Sequence, residues 1–169
     1  MTRTRTTAAV LLGTVMGATL LLPGCQSADI SPIESARIQF GDTVRLEKAS
    51  KIRGGPGRSE TVHAVKGSSG LTGYVATVWC KSKSNLFPVR VVMDKDFLVL
   101  SVRVLSYPSR RGREVRSACF TGQFTGKSPS DPVKVGKDID AISGATSSSS
   151  VMADGVRRAI HAARRMGAQ

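Results

Sequence analysis

The chain has 169 residues, with 25 Lys and Arg against 12 Asp and Glu, for a formal net charge of +13. That length holds one ordinary domain, and a hydrophobic content of 40% supplies a core, which excludes wholesale disorder. So basic a chain invites a nucleic-acid reading, but only 5% of its residues are aromatic, too few for a base-stacking platform. His63 and His161 lie near no cysteine at ligand spacing, which excludes a zinc finger, a Cys-x-x-Cys-His haem site and most His-dependent hydrolase schemes.

Arg3 and Arg5 precede an apolar run over residues 8–22, followed by Pro23-Gly24-Cys25. Basic residues, a short apolar stretch and a small residue before a cut describe a secretory signal, too short for a comfortable membrane span. Leu22-Pro23-Gly24-Cys25 resembles a bacterial lipobox, with Pro23 where a small or branched residue is usual. This predicts a signal peptide over residues 1–24 and a lipid on Cys25 that holds the protein at the extracytoplasmic membrane surface. A plain signal with a coincidental cysteine is the alternative. Without residues 1–24 the chain keeps a net charge of +11. Export separates it from chromosomes and ribosomes, so nucleic acid is not an expected partner. Cys80 and Cys119 then face an oxidising compartment, where they either pair or stay as two buried thiols.

Residues 25–60 are loosely patterned and end in Arg53-Gly54-Gly55-Pro56-Gly57, the chemistry of a tether or linker. A domain is expected over residues 61–166. Strands are predicted over residues 61–66 and 74–80, with a turn at 67–70. Two more, over 89–93 and 97–105, flank Asp94-Lys95-Asp96 as a hairpin with a charged tip. Residues 115–124 read as short and helical, between polar loops at 110–114 and 129–132. From Val151 the period becomes helical: Val151, Gly155, Val156, Ala159, Ile160 and Ala163 share one face. Asp154, Arg157, Arg158, His161, Arg164 and Arg165 fill the other, with Asp154 toward the positive helix end and Arg164-Arg165 toward the negative. The expected class is α+β: a small four-stranded antiparallel sheet, a C-terminal amphipathic helix and short helices in the connecting loops.

Chemistry concentrates in Asp138-Ile-Asp-Ala-Ile-Ser-Gly-Ala-Thr146, which leads through Ser147 to Ser150 into that helix. Small residues entering a helix N-terminus make an anion site, because backbone amides and the helix dipole point at the ligand. Gly144 and Ala145 allow close approach and the hydroxyls can donate to phosphate oxygens; a simple serine cap is the plainer reading.

The run Asp140-Ala-Ile-Ser-Gly-Ala-Thr-Ser-Ser148 resembles the Asp-x-x-Ser/Thr-Gly-Ala-Thr signature of the FMN-binding domain family. That family includes the covalently flavinylated subunits of the Rnf complex and of the sodium-translocating NADH:quinone reductase. There the motif Thr receives FMN as a phosphoester from an FAD-using, magnesium-dependent FMN transferase acting after export; the matching residue here is Thr146. A bare hydroxyl is a poor nucleophile, so the transferase must supply base and metal. The resemblance covers roughly residues 61–165. It takes in Gly73-Tyr74, the loop with Tyr107, Arg111-Gly112 and Glu114, and Phe120-Thr-Gly-Gln-Phe-Thr-Gly-Lys127, while Ser109 stands where many relatives carry an acid.

The resemblance implies Asp140, Ser143, Gly144, Ala145, Thr146 and Ser147 as the acceptor loop. Lys127 neutralises the phosphate or is simply solvated. Arg111 and Arg113 stabilise reduced flavin by positive charge or are solvated. Glu114 sits near the flavin ring or caps the following short helix. Asp140 orients the loop or makes an Asx-turn. Tyr107 and Gly112 lie near the ring, and Tyr74 and Trp79 either face it or belong to the core. The expected protein is an extracytoplasmic electron carrier with FMN on Thr146, more a component of a redox complex than a stand-alone enzyme. Its expected partners are the transferase and membrane or extracytoplasmic redox proteins. The rival is a non-catalytic envelope lipoprotein that binds polyanions through Arg157, Arg158, Arg164 and Arg165.

Overall fold

Alternating β-branched residues broken by glycine and acid-rich turns fold up as a meander. The computed structural model describes residues 30–52, 55–56, 59–83 and 85–168. The expected signal peptide and the expected lipid site at Cys25 lie outside these residues. In chain order the elements are α1 (Pro32–Phe40), β1 (Arg45–Lys51), β2 (Thr61–Gly67), β3 (Gly70–Lys81), β4 (Leu86–Asp94), β5 (Val99–Val104), α2 (Ala118–Gly122) and α3 (Thr146–Gly167). A 3-10 turn over Arg113–Arg116 precedes α2. The sheet is five-stranded with order β1-β2-β3-β4-β5, every neighbouring pair antiparallel. The fold is thus α+β, as the alternation and the late helical period indicate.

The segment expected to be a tether departs from that expectation, because its residues from Ile30 onward join the fold as α1 and β1. Helix α1 begins where the Ser31 hydroxyl accepts the Glu34 amide, with Pro32 in the first turn, and it stops at Gly41. Strand β1 is an edge, so it needs little apolar surface. Its charged residues suit the rim of a sheet, and among its described side chains Leu46 packs inward.

Helices cover both faces of the sheet, α3 with α2 on one and α1 on the other. Alternation along β3 turns Tyr74, Ala76, Val78 and Cys80 toward α3, where Met152, Val156, Ala159, Ile160 and Ala163 meet them. Val65, Val75 and Val92 face the other way, onto Ala36 and Val44. This double cover buries residues 87–93 of β4 on both faces. Gly155 lets α3 approach the sheet, since a Cβ there would lie 2.6 Å from Cys80 Sγ. Cys80 and Cys119 are both unpaired, the first buried under α3 and the second exposed on α2. Burial pushes the Cys80 thiol up to about 12, so this sulfur is inert at neutral pH. Among the described residues, no helix is long and apolar enough to cross a membrane.

Helix α3 starts at Thr146, a full turn before the expected Val151, and runs for 22 residues. Asp154 therefore lies in the helix interior and not at its positive end, where it pairs with Arg157 at 2.7 Å. Arg164 and Arg165 do occupy the last turn.

Candidate functional site

Thr146 is the first residue of α3, exposed to solvent, with Ala145 at the cap position and no side chain capping the helix. The amides of the first turn consequently point outward with their share of the helix dipole. Gly144 takes φ +77 with nothing within 4 Å of where a Cβ would stand, so the approach to Thr146 is open. Ser143 and Ser147 are exposed beside it, while Ala145 is buried.

The serines that read as simple caps have separate duties. Ser149 is fully buried: its hydroxyl accepts the Ile142 amide at 3.2 Å and donates to the Ala145 carbonyl at 3.1 Å. Ser148 shares a 2.7 Å hydroxyl–hydroxyl hydrogen bond with Tyr107. Asn85 in turn donates to the Tyr107 oxygen at 3.2 Å, and the Tyr107 ring lies 4.8 Å from that of Phe87. Gly112, at φ +82, fits into this junction, since a Cβ would come within 2.5 Å of Tyr107 Oη and 2.8 Å of Ser148 Oγ. The loop with Arg111 and Arg113 is thereby fastened to the first turn of α3. Gly112→Ala is expected to cost about 2 kcal/mol from left-handed strain and the displaced hydroxyl, read as a lower urea midpoint.

Upstream, Gln123 clamps the acceptor loop. Its side-chain oxygen accepts the Asp140 amide at 2.7 Å and its nitrogen donates to the Asp140 carbonyl at 3.3 Å. Asp140 thus contributes its backbone to the loop's fixation, and its side chain is exposed. Asp138 accepts the amides of Val133 and Lys134 and pairs with Lys127 at 3.0 Å. Lys127 is therefore already engaged by a carboxylate. Burial alone would push the Asp138 carboxyl up, but the Lys134 amide, Lys127 and the Val133 amide outweigh it and hold the carboxyl below its usual range. A depressed carboxyl stabilises the fold above its ordinary value near 3.9 and loses that contribution as pH falls through the folded value. Asp138→Asn is expected to cost about 1–3 kcal/mol at pH 5–8, and the gap to wild type should close below about pH 4, as urea melts at each pH will show.

Other expected residues fall elsewhere. Glu114 lies exposed in the 3-10 turn, and Ser117 caps α2 in its place by accepting the Phe120 amide. Arg111 and Arg113 are exposed, and Ser109 accepts the Arg111 amide at 3.1 Å. Tyr74 is a core residue: it stacks on Phe97 with ring centroids 5.2 Å apart and abuts Gly167, at the opposite end of α3 from Thr146. Val78 and Cys80 face α3, so alternation turns Trp79 to the other side of the sheet. Of the four arginines in the polyanion reading, Arg157 is engaged by Asp154 and Arg158 by Glu60. Among the described residues, no group of three or more His, Cys, Asp or Glu is placed to hold a metal.

An open glycine, an uncapped helix N-terminus and an exposed hydroxyl on its first residue stand together here, the features that can receive an anion. Residues 86–161, from the start of β4 into the last third of α3, match the model of the FMN-binding domain, and this part of the chain belongs to that family. The protein is accordingly a flavoprotein whose cofactor is FMN. No curated protein matches the chain.

Proposed function

We propose that the protein is an extracytoplasmic electron carrier holding FMN through a phosphoester to Thr146, with a lipid on Cys25 keeping it at the membrane. The supporting observation is the placement of Thr146: exposed, first in an uncapped helix, beside a glycine with open space around it. In the loading reaction, Thr146 Oγ1 attacks the FMN-side phosphorus of the FAD pyrophosphate. The phosphorus–oxygen bond to AMP breaks, AMP leaves with the electron pair, and the hydroxyl proton passes to a base on the transferase. The open amides of the first turn then face the phosphodiester monoanion. Bound flavin supplies one- and two-electron chemistry, and this chain fixes it in place and shapes its surroundings. Covalent attachment suits export, because a released nucleotide outside the cytoplasm would diffuse away.

Co-expression with an FMN transferase, followed by denaturation and gel electrophoresis, tests this reading. A fluorescent flavin band that survives denaturation is expected. No such band, in a cell where a control substrate is labelled, would overturn it.

A further inference from the structure

We infer that the cations around the Thr146 end of the fold form a docking surface for an acidic electron-transfer protein, an inference that rests on the FMN reading above. Arg110, Arg111 and Arg113 are exposed, and Gly112 locks their loop against Tyr107 and Ser148 at the start of α3. Asn85 ties the β3–β4 turn to the same Tyr107 oxygen, which brings exposed Lys81 and Lys83 to this end as well. Elsewhere Lys66, Lys95, Lys127, Arg157 and Arg158 each sit on a carboxylate within 3.0 Å, while exposed Arg45, Arg103, Arg164 and Arg165 pair with none among the described residues. It is thus the gathering of five cations on two tied loops that marks this end. Among the described residues, no carboxylate pairs with any of the five cations at the Thr146 end. Glu114 and Asp140 offset part of their charge without neutralising any one of them.

The distribution of apolar residues favours a protein partner over a lipid surface. Peripheral membrane binding combines cations with inserted apolar side chains. Among the described residues the exposed large apolar ones are Ile38, Leu71 and Leu98; Leu71 opens β3 and Leu98 lies between β4 and β5, both at the opposite end of the sheet. A membrane laid on the basic end would also cover the cofactor that a partner must reach. Transient redox encounters use small contact areas and are steered by charge, which this collar supplies.

Two measurements test the proposal. In the first, the full chain isolated without flavin is titrated with a hexaglutamate peptide, and amide shifts are followed by NMR. Shifts are expected to concentrate in residues 81–85 and 107–116. They should vanish in an Arg110→Glu, Arg111→Glu, Arg113→Glu variant and persist in an equally charged Arg45→Glu, Arg164→Glu, Arg165→Glu variant. Shifts centred on residues 157–165, or equal loss in both variants, would overturn it. So would tighter binding of phosphatidylglycerol vesicles than of peptide at the same residues, which would assign the surface to a membrane.

In the second, the flavin-loaded protein is reduced and mixed with ferricyanide, each ion taking one electron, or with hexaammineruthenium(III). Oxidation by ferricyanide should slow as salt rises, oxidation by the ruthenium cation should quicken, and the collar variant should lose about tenfold or more with ferricyanide at low salt. A collar variant as fast as the distal variant would contradict the inference. A chain that binds peptide at the collar but never accepts flavin would leave the surface standing and remove the redox reading.

Discussion

A Thr146→Ala chain produced beside an FMN transferase is expected to carry no covalent flavin, although Ser147 stands next to the lost hydroxyl. The neighbouring hydroxyls are poor substitutes for reasons visible in the fold. Ser148 is bound to Tyr107, and Ser149 is buried between the Ile142 amide and the Ala145 carbonyl. Ser147 is exposed, but one residue further along the helix its side chain leaves at an angle rotated by ~100°. Thr146→Ser keeps a hydroxyl at the required place and should still load, whereas Ser147→Ala should load like wild type. The Ala variant should fold normally, since alanine at an exposed helical position changes stability by no more than about 0.7 kcal/mol. In-gel flavin fluorescence, with circular dichroism on the same samples, reads both outcomes. A Thr146→Ala band as bright as wild type would place the attachment elsewhere.

The second large effect concerns stability. Arg158→Ala is expected to lower unfolding free energy by about 3 kcal/mol, the lower end of the cost of breaking a buried ion pair, because a quarter of the Arg158 side chain stays exposed. Glu60 is buried just before β2, and its carboxylate accepts the Trp79 amide at 2.7 Å and an Arg158 nitrogen at 3.0 Å. Arg158 also donates to the Trp79 carbonyl at 3.0 Å. Together they continue the edge of β3 where its ladder with β2 has ended at Thr77. Losing the guanidinium leaves a buried carboxylate with half its partners, and Glu60 Oε2 and Arg158 Nε already lack one. The double variant Glu60→Gln, Arg158→Met should recover part of the loss, because it removes the buried charge along with its partner. Urea unfolding of the three chains gives the comparison, and an Arg158→Ala midpoint equal to wild type would contradict this account of the junction.

Much of the sheet was legible because β2, β3 and β5 are rich in β-branched residues, β4 is a near-continuous apolar run, and their turns carry glycine or Asp94-Lys95-Asp96. Strand β1 escaped notice because an edge strand of Arg45, Glu47, Lys48 and Lys51 shows almost no apolar period. Helix α1 carried a readable start in Ser31-Pro32-Ile33-Glu34, yet its apolar face is too weak to stand out by period alone. The true start of α3 was hidden by its serines: outside the fold, four in a row look like a capped loop. Only packing shows that Ser148 and Ser149 turn inward. Thr146 was legible from local motif spacing. Gln123 lay in view within the Phe-x-x-Gln segment, but its duty depends on the fold bringing it to Asp140, 17 residues away. The pairing of Lys127 with Asp138 was equally out of reach, because it depends on how the loop between them folds.

The positive charge that first suggested nucleic acid has a more local meaning. Residues 102–169 carry 12 basic and 5 acidic groups, a net of +7. Lys127, Arg157 and Arg158 spend their charge on carboxylates of the fold, and Arg110, Arg111 and Arg113 leave three exposed cations on one loop at the Thr146 end.

The most direct test of the central claim is peptide mapping of the wild-type chain after co-expression with the transferase. Trypsin releases residues 138–157, which contain Thr146 and every serine of the acceptor loop. This peptide should gain the mass of FMN less one water, with fragment ions placing the addition on Thr146. An unmodified peptide beside a labelled control substrate, or an addition on Ser143 or Ser147, would contradict it.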